Sequence, residues 1–244
     1  MYNEDKYSST SYDPAEKSVP AGGVMLNSFI NRVFSWMFAG LAVTGGISWY
    51  LGNYWAEKIR MYHGLYWILA LAEVVVVIAL SAGVRKFSSG VAALLFTVFA
   101  LLNGLTLSWI FIFYDSPVIA KAFCSASLTF GVMGLIGYTT KKDLSSLGAL
   151  CGMGVFGLII ASVINMFWYN STADLIISCI GVLLFVGLTV WDVQKLKLLA
   201  MELAASGAAS RDVKKYAILG ALELYLDFIN LFLFMLRLFN GGRR

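Results

Sequence analysis

Apolar residues run along this chain in blocks of about twenty, and short polar joints separate the blocks. Seven blocks stand out, at 27–52, 64–83, 90–114, 118–138, 146–168, 174–194 and 217–239. A helix needs roughly 20 apolar residues to cross the hydrocarbon of a bilayer, so each block predicts a membrane-spanning helix. The joints carry the polar punctuation: "RKFSS" at 85–89, "YDSP" at 114–117, "TTKKDLS" at 139–145 and "YNSTA" at 169–173. Only residues 195–216 form a longer connection, with room for a short surface helix and a Gly/Ser turn. All three prolines lie outside the blocks, so no span needs a proline kink. Small residues recur inside the blocks, as in "FAGLAVTGG", "FGVMGLIG" and "CGMGVFG", a pattern that lets helices approach closely in lipid. The expected fold is an all-α membrane protein with seven transmembrane helices over residues 27–239. A polar tail at 1–26, expected to be disordered and cytoplasmic, precedes them, and a short tail at 240–244 follows.

Composition agrees with this reading. Of 244 residues, 59% are hydrophobic and 13% charged, against roughly 25% charged in a soluble domain. The net charge is only +4, without a long basic run, which argues against a nucleic-acid partner. The first 23 residues are polar, mixed in charge and lack an apolar core, unlike a signal or transit peptide. Cys124, Cys151 and Cys179 each fall inside an apolar block and are expected to pack as small hydrophobes. The single histidine, His63, sits between two blocks and rules out chemistry that needs several imidazoles. Twelve of the 18 Lys and Arg residues fall on the side of the tail and of joints 2–3, 4–5 and 6–7. That side should be cytoplasmic, and seven crossings would then leave the C-terminus outside.

The blocks also contain carboxylates: Glu73, Asp192, Glu223 and Asp227. A charge at the bilayer centre costs about 2.5–3.5 kcal/mol on insertion scales, so such groups mark an ion path, a proton relay or an internal salt bridge. On the last helix, Glu223, Asp227, Asn230 and Arg237 form one stripe about 80° wide and roughly 21 Å long. Leu, Ile and Phe fill the other faces, so the stripe is expected to face the inside of a bundle. Asp192, in "LTVWDVQK", lies near the end of the sixth block. If it reaches the depth of Asp227, two carboxylates sharing one proton make a pH-dependent latch. If it is interfacial, no latch exists. Glu73 lies near the middle of the second block, cannot reach water by snorkelling and needs a partner, with Asn103 or an arginine of another helix as candidates. A pore role and a structural hydrogen-bonding role fit Glu73 equally well.

The segment "ALELYLDFINLFLFMLRLF" closely resembles the last helix of the Bax inhibitor-1 family of seven-helix membrane proteins. The likeness extends to "FINRVFSWMFAGLAVTG", "NGLTLSWIF", "GYTTKKDLSSLG" and "GLTVWDVQKLK", and runs from Asn27 to Phe239. It implies a pH-regulated calcium leak with the last helix near the bundle centre. It further implies a gate of Asp192 and Asp227, an ion path that includes Glu73, and Arg85 as a partner of the latch. Glu223, Asn230 and Asn103 are expected to add polar groups to that path, without tight metal binding. Many relatives have glutamate where this chain has Asn103, which removes one carboxylate from the route.

Other membrane chemistries fit less well. Intramembrane aspartyl proteases use Tyr-Asp and Gly-x-Gly-Asp, whereas here the pairs are Trp191-Asp192 and Leu226-Asp227. A retinal protein needs a lysine in its last span, and 217–239 has none. Neither HExxH nor a nucleophile motif occurs, so no catalytic residue, cofactor or enzyme activity is expected. The expected partners are calcium or other cations and membrane lipid. The alternative is a non-conducting adaptor that modulates a membrane-anchored AAA protease or a stress or cell-death response, with the polar tail as its handle. The compact loops point to a bacterial inner (plasma) membrane.

Overall fold

The computed structural model describes residues 21–61, 63–83 and 87–240. Arg85, most of the N-terminal tail and residues 241–244 lie outside the described residues. The described elements are α1 (Ala21–Tyr54), α2 (Ala56–Met61), α3 (His63–Gly83), α4 (Ser89–Leu107), α5 (Ile110–Phe113), α6 (Ser116–Thr139), α7 (Ser145–Phe167), α8 (Ser171–Ala205) and α9 (Ser210–Asn240). Every apolar block becomes helix, because a backbone in lipid must satisfy its own hydrogen bonds. Five helical segments are long and apolar enough to cross a membrane: Ser89–Phe113, Ser116–Thr139, Ser145–Phe167, Ser171–Ala205 and Asp212–Asn240. The apolar stretch of α3, Tyr66–Ser81, is shorter. In α1, glycines, serines and tryptophans dilute the aliphatic content of a 34-residue helix.

Three boundaries differ from the sequence reading. Helix α1 starts at Ala21 rather than 27, and Leu26 packs against the core. The third block is interrupted at Ser108 and Trp109, where Ser108 N–H bonds to the carbonyls of both Gly104 and Leu105 at 3.2 and 3.3 Å. The Ser108 hydroxyl adds a bond to Leu105 O at 2.6 Å, tightening the turn. The connection at 195–216 holds no separate surface helix: α8 runs on to Ala205 and α9 begins at Ser210. Gly207, with φ +63°, ends α8. Ala208 N–H bonds to Leu203 O at 3.1 Å and Gly207 N–H to Ala204 O at 3.4 Å, a left-handed cap that glycine adopts without steric cost.

Helix α9 occupies the middle, packed on α1, α4, α6 and α8. Leu224, Tyr225 and Leu231 on it are completely buried. Helices α3 and α7 lie at the periphery, α3 against α4 and α7 against α8. Their outer faces expose large apolar side chains, among them Leu71, Val75 and Ile78 on α3 and Phe156, Ile160 and Phe167 on α7. An apolar exterior of this extent suits a hydrocarbon solvent, not water.

At the end of the bundle that holds the 139–145 joint, Gln194 of α8 ties the loop down. Its amide nitrogen donates to Lys142 O at 2.7 Å, and its carbonyl accepts Leu144 N–H at 3.0 Å. Asp143 accepts from the amide and hydroxyl of Ser145 at 2.9 and 2.6 Å. The Ser145 hydroxyl, and then its amide, hold that carboxyl below the ordinary carboxylate range.

Helices α6 and α8 cross most tightly at Gly137, where an added Cβ would fall inside van der Waals contact of the Val190 carbonyl oxygen. The obstacle is backbone and cannot rotate away. Gly137→Ala should therefore push α6 off α8 and cost about 1–3 kcal/mol. Gly131→Ala, on the same helix with open space around its Cβ position, should be neutral or slightly stabilising. Thermal unfolding of the two variants in detergent compares them directly.

Candidate functional site

Two polar clusters lie inside the apolar bundle, and α9 contributes to both. The first joins α8 and α9. Asp192 and Asp227 are both buried, with 7% and 5% of their surfaces exposed. Their side chains lie against each other, an arrangement in which two carboxyl groups can share one proton. Oδ2 of Asp227 is buried and has no hydrogen-bond partner among the described residues. Asp192 therefore lies beside Asp227 inside the bundle.

Lys195 stands beside this pair. Its ammonium lies 3.6 Å from Asp192 Oδ1 and donates to both oxygens of Glu223 at 2.9 Å. Glu223 is thus a partly exposed ion-pair partner. The stripe on α9 does not act as one inward face. Asn230 donates from its amide nitrogen to Leu226 O of its own helix at 2.8 Å, and Arg237 is exposed. The reason is that α9 is enclosed on several sides at once, so no single face is "inside". Each polar group finds its own solution: Asp227 a second carboxyl, Glu223 a lysine, Asn230 its own backbone.

The second cluster joins α1, α3, α4 and α9. Glu73 Oε2 accepts from Asn103 Nδ2 at 3.1 Å, and Glu73 Oε1 accepts from the Thr106 hydroxyl. The Tyr225 hydroxyl donates to Asn103 Oδ1 at 3.0 Å and lies 2.7 Å from Thr44 Oγ1. Thr44 also donates to Ala100 O at 2.9 Å. A continuous hydrogen-bonded chain therefore runs from α1 through α9 and α4 to the carboxyl on α3. Glu73, Asn103 and Thr106 line a cavity of about 500 Å³ that extends to Arg237. A second cavity of about 410 Å³ shares Tyr114 and Arg237 with it and contains Asp174 near the start of α8. Polar side chains thus line both cavities, from the Glu73 cluster to the C-terminal end of α9.

The structure brings together the sequence-predicted pairs Asp192–Asp227 and Glu73–Asn103, and adds Lys195, Thr44, Thr106 and Tyr225, which the sequence pattern does not single out. The i,i+3 spacing of Lys195 from Asp192 is the one signal of that contact in the sequence. The hydroxyl residues gave none, since Thr and Tyr are common in apolar helices.

A family model described as "Inhibitor of apoptosis-promoting Bax1" matches residues 26–244. The chain belongs to the Bax inhibitor-1 family. Among its relatives, the "Inner membrane protein YbhL" of Escherichia coli K12 is 42% identical over 234 residues, covering 95% of this chain and 98% of that protein. A Deinococcus radiodurans protein is 39% identical over 216 residues, covering 88% and 91%. A Borreliella burgdorferi protein is 36% identical over 220 residues, covering 89% and 93%. With five helical segments long and apolar enough to span a bilayer, this family member is an integral membrane protein.

Proposed function

We propose that this Bax inhibitor-1 family protein is a pH-sensitive cation leak, passing calcium, with Asp192 and Asp227 as its gate. The observation that carries the reading is the buried carboxyl pair, one of whose oxygens has no partner. A proton-sharing pair holds α8 and α9 together only while it keeps that proton. Beyond the pair, Glu73 and its cavity supply oxygen ligands towards the C-terminal end of α9. Calcium prefers six to eight oxygens, so a few carboxyl and amide groups with water suit passage better than tight retention. No catalytic step and no cofactor is part of this reading.

All seven apolar helices cross the membrane in this proposal, including the long α1 and the shorter α3. The end that carries Lys141, Lys142, Lys195 and Lys197 faces the cytoplasm, as the excess of basic residues there favours. The C-terminal end of α9 then faces outside. The likeness to an inner membrane protein of Escherichia coli favours a bacterial inner membrane.

Calcium flux through proteoliposomes tests the route. Glu73→Gln keeps the hydrogen-bonding shape but removes the charge, and should lower flux several-fold. Lys195→Gln should act in the opposite sense. Its ammonium repels cations from the approach to the gate, so its removal should raise flux a few-fold, most clearly at low ionic strength. Equal flux through both variants and the unmodified protein would count against this route.

A further inference from the structure

A long apolar groove opens between α1 and α6, with α9 as its floor. One part, about 820 Å³, runs from Asn27, Asn31 and Tyr138 to Phe123 and Phe228. A second part of about 310 Å³ shares Leu41, Gly45, Phe123 and Phe228 with the first and continues to Trp49 and Ser116. From Asn27 to Trp49 the groove follows α1 for roughly 33 Å at ~1.5 Å per residue, the thickness of a hydrocarbon core. Its width comes from glycine: nothing lies within 4 Å of the Cβ positions of Gly45, Gly46 and Gly131. Neither of the two parts is lined by a charged residue.

The mouth at the Asn27 end is different. The Tyr138 hydroxyl donates to Asn27 Oδ1 at 3.4 Å, and Asn31 lies one turn further along α1. Lys197 reaches over from α8, donating to Tyr138 O at 2.7 Å with its ammonium 5.5 Å from the Tyr138 ring centre. Lys141 and Lys142 follow in the next joint, both exposed. The groove is thus an apolar slot of membrane depth whose mouth offers carboxamides, a phenol and ammonium groups. Water cannot fill such a slot favourably.

We infer that this groove is a binding site for one anionic phospholipid, its acyl chain along α1 and α6 and its phosphate at the Asn27, Tyr138 and Lys197 mouth. Ammonium and amide donors recognise the phosphate, and the extra negative charge of the headgroup complements the cluster of lysines. The chain lies against Phe228 of α9. The inference stands on the groove and its mouth, independently of whether the protein conducts.

Native mass spectrometry of the full chain in detergent tests it, with phosphatidylglycerol and phosphatidylcholine of identical acyl chains as probes. The unmodified protein should retain one phosphatidylglycerol in preference to phosphatidylcholine. Gly45→Leu combined with Gly131→Leu fills the slot from positions with open space, so the bundle should fold, as thermal unfolding can check. Binding of both lipids should then fall at least several-fold. Lys197→Gln should keep phosphatidylcholine binding and lose most of the preference for phosphatidylglycerol. Unchanged binding in the folded double-leucine variant would overturn the site. Equal retention of the two lipids by the unmodified protein, or a preference that survives Lys197→Gln, would overturn the anionic headgroup.

Discussion

Asp227→Asn should leave the bundle folded and make cation flux indifferent to pH. The side chain is 5% exposed and lies against Asp192, so asparagine fits the same space. Its amide can donate permanently where a carboxyl donates only while protonated. The contact between α8 and α9 then no longer depends on a titrating proton. Flux that differs several-fold between mildly acidic and mildly alkaline buffer should become about equal in the variant. Asp192→Asn should do the same, since either partner can supply the fixed donor. A Lys195 or Glu223 variant should shift the pH response without abolishing it, because both sit beside the pair and not in it.

The largest effect on stability is expected at Tyr225. Its side chain is completely buried, edge-on to Phe96 and Phe99 with ring centres 5.9 and 5.5 Å away. Its hydroxyl links Thr44 on α1 to Asn103 on α4. Tyr225→Ala opens a cavity at the centre of the bundle and should cost about 3–5 kcal/mol. Tyr225→Phe keeps the ring packing but leaves Asn103 Oδ1 without its donor, a loss of about 1–3 kcal/mol. Thermal unfolding in detergent should rank the unmodified protein above the phenylalanine variant and that above the alanine variant. If phenylalanine matches tyrosine, the hydroxyl contributes nothing and the hydrogen-bonded chain to Glu73 is not a structural unit.

The helices were legible because lipid imposes a simple demand: long apolar runs, self-satisfied backbones and small residues where helices meet. Gly137 illustrates it, since the last glycine in "FGVMGLIG" lies where α6 touches the backbone of α8. The partner of Glu73 was legible for a related reason, as a carboxyl in the middle of a span must find polar company. What the one-dimensional pattern could not show is which faces a central helix turns to which neighbours. The stripe of Glu223, Asp227, Asn230 and Arg237 looked like one inward surface because a peripheral helix has one inside. Helix α9 is surrounded, and the stripe separated into an ion pair, a carboxyl pair, a backbone bond and an exposed guanidinium. Lys195 is not legible because a lysine just past an apolar block usually reaches for water, whereas here two carboxylates hold it against the bundle. The interruption at Ser108 and Trp109 left no trace in an apolar block without proline.

The central claim is that the buried carboxyl pair gates a cation path, and the most direct measurement is calcium uptake by liposomes containing the purified, folded protein. Uptake should be recorded in mildly acidic and mildly alkaline buffer, with Asp227→Asn reconstituted alongside. The account predicts uptake above protein-free liposomes that changes with pH in the unmodified protein and not in the variant. No uptake from folded protein at either pH would contradict it, and the carboxyl pair would then be a clasp between α8 and α9 in a protein that does not conduct.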